Sequence, residues 1–171
     1  GKLENDNSRL ILHDARTKHK GSTLLPIIEE AFPDWNFESL NCQPEHVPER
    51  MRKAKAFIHL SRYEGNSIVC NEAMAMNLPC MFTNVGLMKD KNRPREIYLL
   101  ETEKVYKSYF GITIVNKTEL INQTGLFINS LDNKDYNPRE WILENAVASV
   151  SNKKWEQTMI DFQKLSGWSL F

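Results

Sequence analysis

The chain has 171 residues, 41% of them hydrophobic, and its 22 basic side chains are balanced by 22 acidic ones. This length is enough for one domain with a substantial core. The net charge of zero argues against a general surface for nucleic acid, and no stretch approaches the ~18 apolar residues of a membrane span.

Several short runs along the chain predict strands, and the first, which is continuously apolar, is typical of a strand buried on both faces of a sheet. In chain order these runs are Leu10–Leu12, Phe37–Leu40, Ala56–Leu60, Pro79–Thr83, Ile112–Val115 and Leu126–Ile128.

Segments with apolar residues at helical spacing alternate with these runs. The first is Leu24–Phe32, with Pro26 near its start, and the next are predicted at Pro48–Lys55, Ser67–Asn77 and Arg95–Phe110. A further helix should begin at Asn137, which precedes a proline at the first helical position and a glutamate at the third. The apolar faces predicted for this helix and for a last one are Leu143, Val147 and Val150, then Trp155, Met159 and Phe162.

Strands that alternate with helices of this size indicate a doubly wound α/β sheet of parallel strands. The crossovers that join such strands are right-handed. Ligands of these sheets bind at the carboxyl ends of the strands. The candidate loops are therefore those that follow the first four predicted strands, after Leu12, Leu40, Leu60 and Thr83.

The loop after the third predicted strand leads to two glutamates eight positions apart, Glu64 and Glu72. Gly65 permits a sharp turn, and Asn66 or Ser67 is suited to cap the next helix. The free amides at that helix start form an anion site for a diphosphate. A carboxylate such as Glu72 only accepts hydrogen bonds and suits the paired hydroxyls of a ribose, although most glutamates at this spacing are solvated surface groups.

A basic loop follows the first predicted strand, with Arg16, Lys18, His19 and Lys20 ahead of Gly21. In the predicted fold it faces the same crevice. Arginine clamps phosphate oxygens in a bidentate way and lysine adds a point charge. By itself such a loop is more often a solvated surface.

The remaining polar and sulfur residues are better interpreted as structural. Three cysteines without a CxxC pair argue against disulfides and zinc, so Cys42, Cys70 and Cys80 are predicted to be small buried side chains. His59 lies inside a predicted strand, and we expect a core histidine with its hydrogen bonds satisfied. The polar N-terminus shows no signal peptide, so we expect a cytoplasmic protein.

One block of the sequence runs Ser61-Arg62-Tyr63-Glu64-Gly65, Asn71-Glu72-Ala73-Met74-Ala75, Leu78-Pro79 and Thr83-Asn84-Val85-Gly86. It closely resembles the C-terminal half of GT-B glycosyltransferases, in the large retaining family with a Glu-x7-Glu motif. The resemblance implies a single Rossmann-like domain over residues 1–171 that binds a nucleoside diphosphate sugar and transfers the sugar to a glycan hydroxyl.

The resemblance also implies roles for individual residues. Glu72 would bind the ribose, Glu64 would lie against the donor sugar, and Arg16 and Lys20 would neutralise the leaving diphosphate. Backbone groups of Gly65, Asn66, Ser67, Ile68 and Val69 would hold the diphosphate and the sugar. The base would lie against Asn41, Cys42 and Gln43. GT-B enzymes generally need no metal, so we expect no metal and no cofactor besides the donor, which is predicted to be a UDP-sugar.

The chain also departs from this family. Its basic loop is one residue shorter than usual between Arg16 and Gly21, and Leu87 replaces the second glycine of a Val-Gly-Gly turn. Nothing corresponds to the N-terminal lobe that contacts the acceptor, so we expect attachment to other domains in a longer polypeptide. In size and in lacking that lobe, the chain is similar to the central domain of multidomain chlorovirus enzymes that build capsid glycans. That similarity implies a viral rhamnosyltransferase in the host cytoplasm that uses UDP-L-rhamnose.

Two other functions stay open at this point. The first is a non-catalytic module that binds a nucleotide sugar or a protein partner. The second is a phosphosugar enzyme such as an epimerase, which shares the lobe architecture.

Overall fold

The computed structural model describes residues 9–89, 97–110 and 112–166. Its central sheet contains five parallel strands in the order β2-β1-β3-β4-β5. These strands are β1 (Leu10–His13), β2 (Asn36–Ser39), β3 (Ala56–His59), β4 (Cys80–Thr83) and β5 (Tyr98–Leu100). A second, antiparallel sheet pairs β6 (Tyr106–Tyr109) with β7 (Ile112–Val115).

The helices lie between and after these strands. They are α1 (Leu25–Ala31), α2 (Val47–Arg52), α3 (Ile68–Ala75), α4 (Thr102–Val105), α5 (Lys117–Ser130), α6 (Pro138–Asn145) and α7 (Ala148–Ser166). Short 3-10 helices cover Pro44–His46 and Gly86–Lys89.

Helices cover both faces of the central sheet. Consecutive residues of a strand face opposite sides, so Ile11 and Ile58 pack in one core cluster with residues of α1 and α5. Leu12 and Phe57 pack in the other cluster with residues of α3 and α6. Each such side chain, when fully buried, contributes about 1.5–3 kcal/mol. The prediction of a doubly wound α/β sheet is confirmed.

The helix predicted over Arg95–Phe110 is wrong. Residues 90–96 lie outside the described part, and residues 97–110 form β5, the single turn of α4 and β6. Tyr98–Leu100 pairs with Met81–Thr83, which satisfies the backbone groups that the edge of β4 would otherwise expose. The two tyrosines at the ends of β6 suit a pleated strand better than a helix.

The strand predicted at Leu126–Ile128 is also wrong, because these residues lie inside α5. The helix begins where the side chain of Asn116 accepts a hydrogen bond from the amide of Glu119 at 3.3 Å. Its buried residues recur at helical spacing, and they are Leu120, Gln123, Thr124, Phe127 and Ile128.

The predicted start at Asn137 is confirmed, since it is the N-cap residue of α6. The predicted apolar face is wrong. The chain leaves helical conformation at Ala146, where φ is −122°, so Val147 belongs to no helix with Leu143. Ile142 is the buried residue, and Leu143 is 53% exposed. The side chains predicted for the last helix, Trp155, Met159 and Phe162, lie outside the described part.

Two of the three cysteines match their prediction. Cys70 and Cys80 are buried, whereas Cys42 is half-buried at the margin of the core, and all three are free thiols. No helix within the described ranges has both the length and the apolar character of a membrane span.

Candidate functional site

The strand order creates a switch point between β1 and β3. The chain leaves β1 towards β2 on one side, and leaves β3 towards β4 on the other. Connections diverge at such a point and leave a crevice at the carboxyl ends of the two strands. The loops after β1 and β3 therefore meet at this edge, and the amide of Arg62 donates to the carbonyl of His19 at 2.8 Å.

Gly21 allows this approach. Its φ is +90°, and a Cβ at this position would lie 2.7 Å from the carbonyl oxygen of Leu60. A residue with a side chain would therefore meet both backbone strain and a clash. The glycine after the basic loop brings Lys20 up to the loop that follows β3.

Lys20 and Glu64 are in direct contact. The ammonium of Lys20 donates a hydrogen bond to Oε2 of Glu64 and also lies 3.7 Å from Oδ2 of Asp14. Burial disfavours the ammonium, but the hydrogen bond to Glu64 and the charges of Asp14 and Glu64 outweigh it and raise the pKa of Lys20. The side chains of Lys20 and Glu64 are 34% and 21% exposed, so both remain accessible to a ligand.

A buried histidine–aspartate pair lies beneath this contact. Nδ1 of His59 is 2.7 Å from Oδ1 of Asp14, and the two residues are only 2% and 3% exposed. Nε2 of His59 faces Oε2 of Glu64 at 3.5 Å and is buried without a hydrogen-bond partner. The expectation that His59 is fully satisfied is therefore wrong for Nε2. Sequence reasoning assigned no role to Asp14, although its place directly after β1 was a usable signal.

The start of α3 lies in the same crevice. Ser67 is the N-cap residue, but its side chain makes no capping hydrogen bond. Asn66 does not cap either, because its Oδ1 accepts from Asn71 at 3.0 Å. The first amides of the helix, from Ile68 onwards, therefore lack a side-chain partner and remain open to an anion.

Two glycines shape the turn that carries Glu64. A Cβ on Gly65 would meet no other part of the protein within 4 Å, so this backbone faces open space. Gly86, which follows β4, has a φ of +56° and packs directly under the turn, where a Cβ would lie 2.8 Å from the carbonyl carbon of Glu64. The loop after β4 thus supports the backbone of Glu64.

In the described ranges, the side chains of the other predicted site residues make no hydrogen bond or ion pair with the side chains of Asp14, Lys20, His59 or Glu64. The side chains of Arg16 and Glu72 are exposed and make no hydrogen bond or ion pair with any residue in the described ranges. Asn41 and Gln43 are exposed, and Cys42 is half-buried between them, in the segment that joins β2 to the first 3-10 helix. Ile68 is 76% exposed at the start of α3, and Val69 is half-buried.

The structure also contains a cavity of about 430 Å³ beside Glu64, which was not predicted from the sequence. Its lining includes Tyr63, Asn84 and Tyr106. The guanidinium of Arg62 lies over the rings of Tyr63 and Tyr106, at 5.5 and 5.0 Å from their centroids, and burial raises the pKa of Tyr106 to about 12. The signal for this cavity in the sequence is that Arg62 and Tyr63 directly precede Glu64.

In residues 9–89, 97–110 and 112–166, no three histidine, cysteine or carboxylate side chains are arranged to hold a metal ion. Within these residues, the ionisable side chains that contact one another at the crevice include Asp14, Lys20, His59 and Glu64.

Residues 23–108 match the family model described as Glycosyl transferases group 1. Among solved structures, the chain is similar to a variant of TarM from S. aureus in complex with fondaparinux, α-GlcNAc-glycerol and UDP. The TM-score is 0.59 at 15% identity, over 92% of this chain and 37% of that one.

The pneumococcal O-GlcNAc transferase GtfA, in complex with UDP and GlcNAc, gives a TM-score of 0.53 at 17% identity, over 89% of this chain and 35% of that one. At these identities the likeness concerns the fold alone. The chain thus spans little more than a third of these structures, and no curated protein matches its sequence.

Proposed function

This chain belongs to the group 1 glycosyl transferases, and from that premise we propose that it holds a nucleoside diphosphate sugar at the β1–β3 switch point and transfers the sugar to a glycan hydroxyl. The observation that carries the proposal is the contact between Lys20 and Glu64 beside the uncapped start of α3. Positive charge, free amides and a carboxylate acceptor lie together where a diphosphate and its sugar would meet.

Each part of the site has a chemical task in this proposal. The amides at the start of α3 and the open backbone of Gly65 hold the diphosphate. Glu64 accepts a hydrogen bond from a hydroxyl of the donor sugar. Glu72, in the second turn of α3, binds the ribose, and the segment 41–43 lies against the base.

The reaction breaks the bond between the anomeric carbon and the oxygen of the β-phosphate. The acceptor hydroxyl oxygen forms the new bond to that carbon, and the electron pair of the broken bond stays on the diphosphate. The proton of the hydroxyl passes to the departing diphosphate. Lys20 and Arg16 stabilise this developing negative charge, because positive groups placed in advance need little reorganisation during the reaction. We therefore propose transfer without a metal ion.

The donor is proposed to be a UDP-sugar, and UDP-L-rhamnose is the first candidate. The complexes of TarM and GtfA with UDP support the uridine base. The choice of rhamnose rests on the resemblance to the chlorovirus enzyme domains. The acceptor is a glycan, and further domains of a longer polypeptide would supply its contacts.

The proposed donor site is tested by calorimetry with UDP and UDP-L-rhamnose. Arg16→Ala and Glu72→Ala should each weaken UDP binding about tenfold, as loss of a charge-assisted hydrogen bond does.

Arg9→Ala and Glu30→Ala are matched controls. Arg9 precedes β1 at the opposite end of the sheet, and Glu30 is exposed near the end of α1. Equal affinities in all four variants would refute the site assignment.

Transfer is tested separately, by incubating the chain with the bound donor and candidate glycan acceptors. Formation of a glycoside supports the enzymatic function. Binding of the donor without transfer to any acceptor would instead favour a non-catalytic nucleotide-sugar-binding module, and epimerised donor in the absence of an acceptor would favour an epimerase.

A further inference from the structure

Four ionisable side chains form a closed ring at the switch point. Asp14 contacts His59 at 2.7 Å and Lys20 at 3.7 Å, and Glu64 contacts Lys20 and faces His59 at 3.5 Å. Asp14 and His59 form the buried half of the ring, and Lys20 and Glu64 form the half that faces the crevice. The pair Asp14–His59 therefore lies directly behind Glu64 and Lys20 at the proposed donor site.

The hydrogen bond to Asp14 fixes the state of one ring nitrogen. A carboxylate only accepts hydrogen bonds, so Nδ1 of His59 carries a proton and donates it. Nε2 then points at Glu64 either with a lone pair or with a second proton. A lone pair facing a carboxylate oxygen is repulsive, and it would leave a buried nitrogen without a partner.

A proton on Nε2 removes this conflict. With it, the ring holds two positive and two negative groups, and every carboxylate has a positive neighbour on each side. An N–H donates and a carboxylate accepts, so this arrangement gives the pair one donor and one acceptor. The pair becomes a charge-assisted hydrogen bond after a shift of a few tenths of an ångström.

We propose that His59, oriented by Asp14, is a positioning residue for Glu64, and that its Nε2–H holds the Glu64 carboxylate in place at the donor sugar. This inference rests on the proposed function for the role of Glu64. It explains why a histidine and an aspartate are buried together at the end of the two central strands.

The need for such support follows from Lys20. In the structure Lys20 is bound to Glu64, whereas in the proposed reaction it stabilises the diphosphate. When Lys20 turns towards the diphosphate, the partly buried carboxylate of Glu64 loses its hydrogen bond, and an unpaired buried charge is costly. His59 supplies the replacement from the opposite side.

The other groups around Glu64 do not take this role. Burial raises the pKa of the Cys70 thiol on α3 far above its ordinary value, so it stays neutral. The hydroxyl of Thr83, at the end of β4, donates to the carbonyl of Ser61 at 2.6 Å. Among the described residues, Lys20 contacts Glu64 and Asp14 contacts His59. The charged side chains of Arg62, Lys89 and Glu103 line the cavity beside Glu64.

The protonation of His59 is tested first by NMR of the intact chain labelled with 15N in histidine. Both ring nitrogens of His59 should carry a proton at neutral pH in the wild-type chain. In Glu64→Gln, which cannot stabilise the charge, Nε2 should lose it. A bare Nε2 in the wild-type chain would overturn the proposal, and this experiment needs no ligand.

The positioning role is tested by calorimetry with UDP and UDP-L-rhamnose. His59→Asn keeps a donor near Asp14 and removes the group that faces Glu64. It should bind UDP like the wild type and bind the UDP-sugar about tenfold more weakly.

His13→Asn is the matched control, because His13 is also buried at the end of a central strand but accepts a hydrogen bond from the amide of Ala15. It should leave both affinities unchanged.

A double-mutant cycle separates action through Glu64 from a structural defect. In a Glu64→Gln background, His59→Asn should have no further effect on the affinity for the UDP-sugar. Equal losses for UDP and the UDP-sugar, or full additivity in the cycle, would overturn the positioning role. If the wild-type chain binds no nucleotide at all, the proposed function fails, and the NMR result still decides the protonation of His59.

Discussion

Replacement of Gly21 by alanine is predicted to destabilise the chain by about 2–5 kcal/mol. The residue has a φ of +90°, and placing a side chain in this region costs about 1–2 kcal/mol. The new Cβ would lie 2.7 Å from the carbonyl oxygen of Leu60, and overpacking of this kind costs about 1–3 kcal/mol. The sum is a large part of the stability of an ordinary domain.

Urea denaturation measures this loss directly, and thermal unfolding should show a melting temperature lower by about 5–20 °C. Gly125→Ala is the matched control. Gly125 lies inside α5, and its Cβ would meet only Phe32 at 3.5 Å, an ordinary contact. Alanine there should leave stability unchanged or raise it by up to about 1 kcal/mol.

The chain has one alternative to unfolding in Gly21→Ala. It can relieve the clash by moving the basic loop, which would separate Lys20 from Glu64. Stability would then fall less, and UDP affinity would fall instead. A variant that matches the wild type in both stability and UDP affinity would refute the reasoning about the loop contact.

Three further predictions concern the site and its helices. Gly65→Ala should leave the free energy of unfolding within about 0.5 kcal/mol of the wild type, because no atom lies near its Cβ. It should nevertheless weaken UDP binding at least tenfold, as measured by calorimetry. Unchanged affinity would show that the diphosphate does not contact the backbone of Gly65. Because the pKa of Lys20 is raised in the folded state, its contribution to stability is complete below the ordinary lysine pKa and is lost as the pH rises through the folded value. Urea denaturation at about pH 8 and about pH 11 should therefore show a steeper loss for the wild type than for Lys20→Met, and parallel losses would contradict this. Asn116→Ala should cost about 1 kcal/mol through the lost cap of α5, with Asn129→Ala in the same helix as the control.

The central strands were predictable because burial on both faces leaves a plain signal. The runs at β1, β3 and β4 are almost entirely apolar, and neither face of the sheet is left to water. The edges carried a weaker signal. Ile97, Leu100 and Val105 are the buried residues of the segment after β4, and their spacing resembles a helix although the chain forms a strand and a turn there.

The error at Leu126–Ile128 has a different cause. The apolar run looks like a strand, but Leu126 is 62% exposed, whereas the polar Gln123 and Thr124 are buried on the inner face of α5. Gln123 is tolerated there because its side chain accepts from the amide of Glu101 at 2.8 Å. Hydrophobicity alone cannot reveal a face that contains such residues, since the partner lies on another element.

Only some residues of the candidate site could be predicted, because the partners of the others lie on distant elements of the chain. Glu64 and Lys20 follow predicted strands, and the resemblance to the glycosyltransferase block singled out both as candidates in the sequence. A role for His59 and Asp14 can be recognised only from their contact with each other, and they are 45 residues apart in the chain. A histidine inside an apolar strand is ordinarily a core residue, and only the tertiary structure places its free nitrogen against Glu64.

The central pair of strands also determines when the site can exist during folding. β1 and β3 pair in parallel across the intervening β2 and its crossovers, so the chain must close a long loop before Lys20 can reach Glu64. Closing such a loop costs conformational entropy before the contacts between the two strands form. Parallel pairing of distant strands is therefore slow. A nascent or partly unfolded chain should thus bind no nucleotide, and a bound donor would favour the fully paired sheet by mass action.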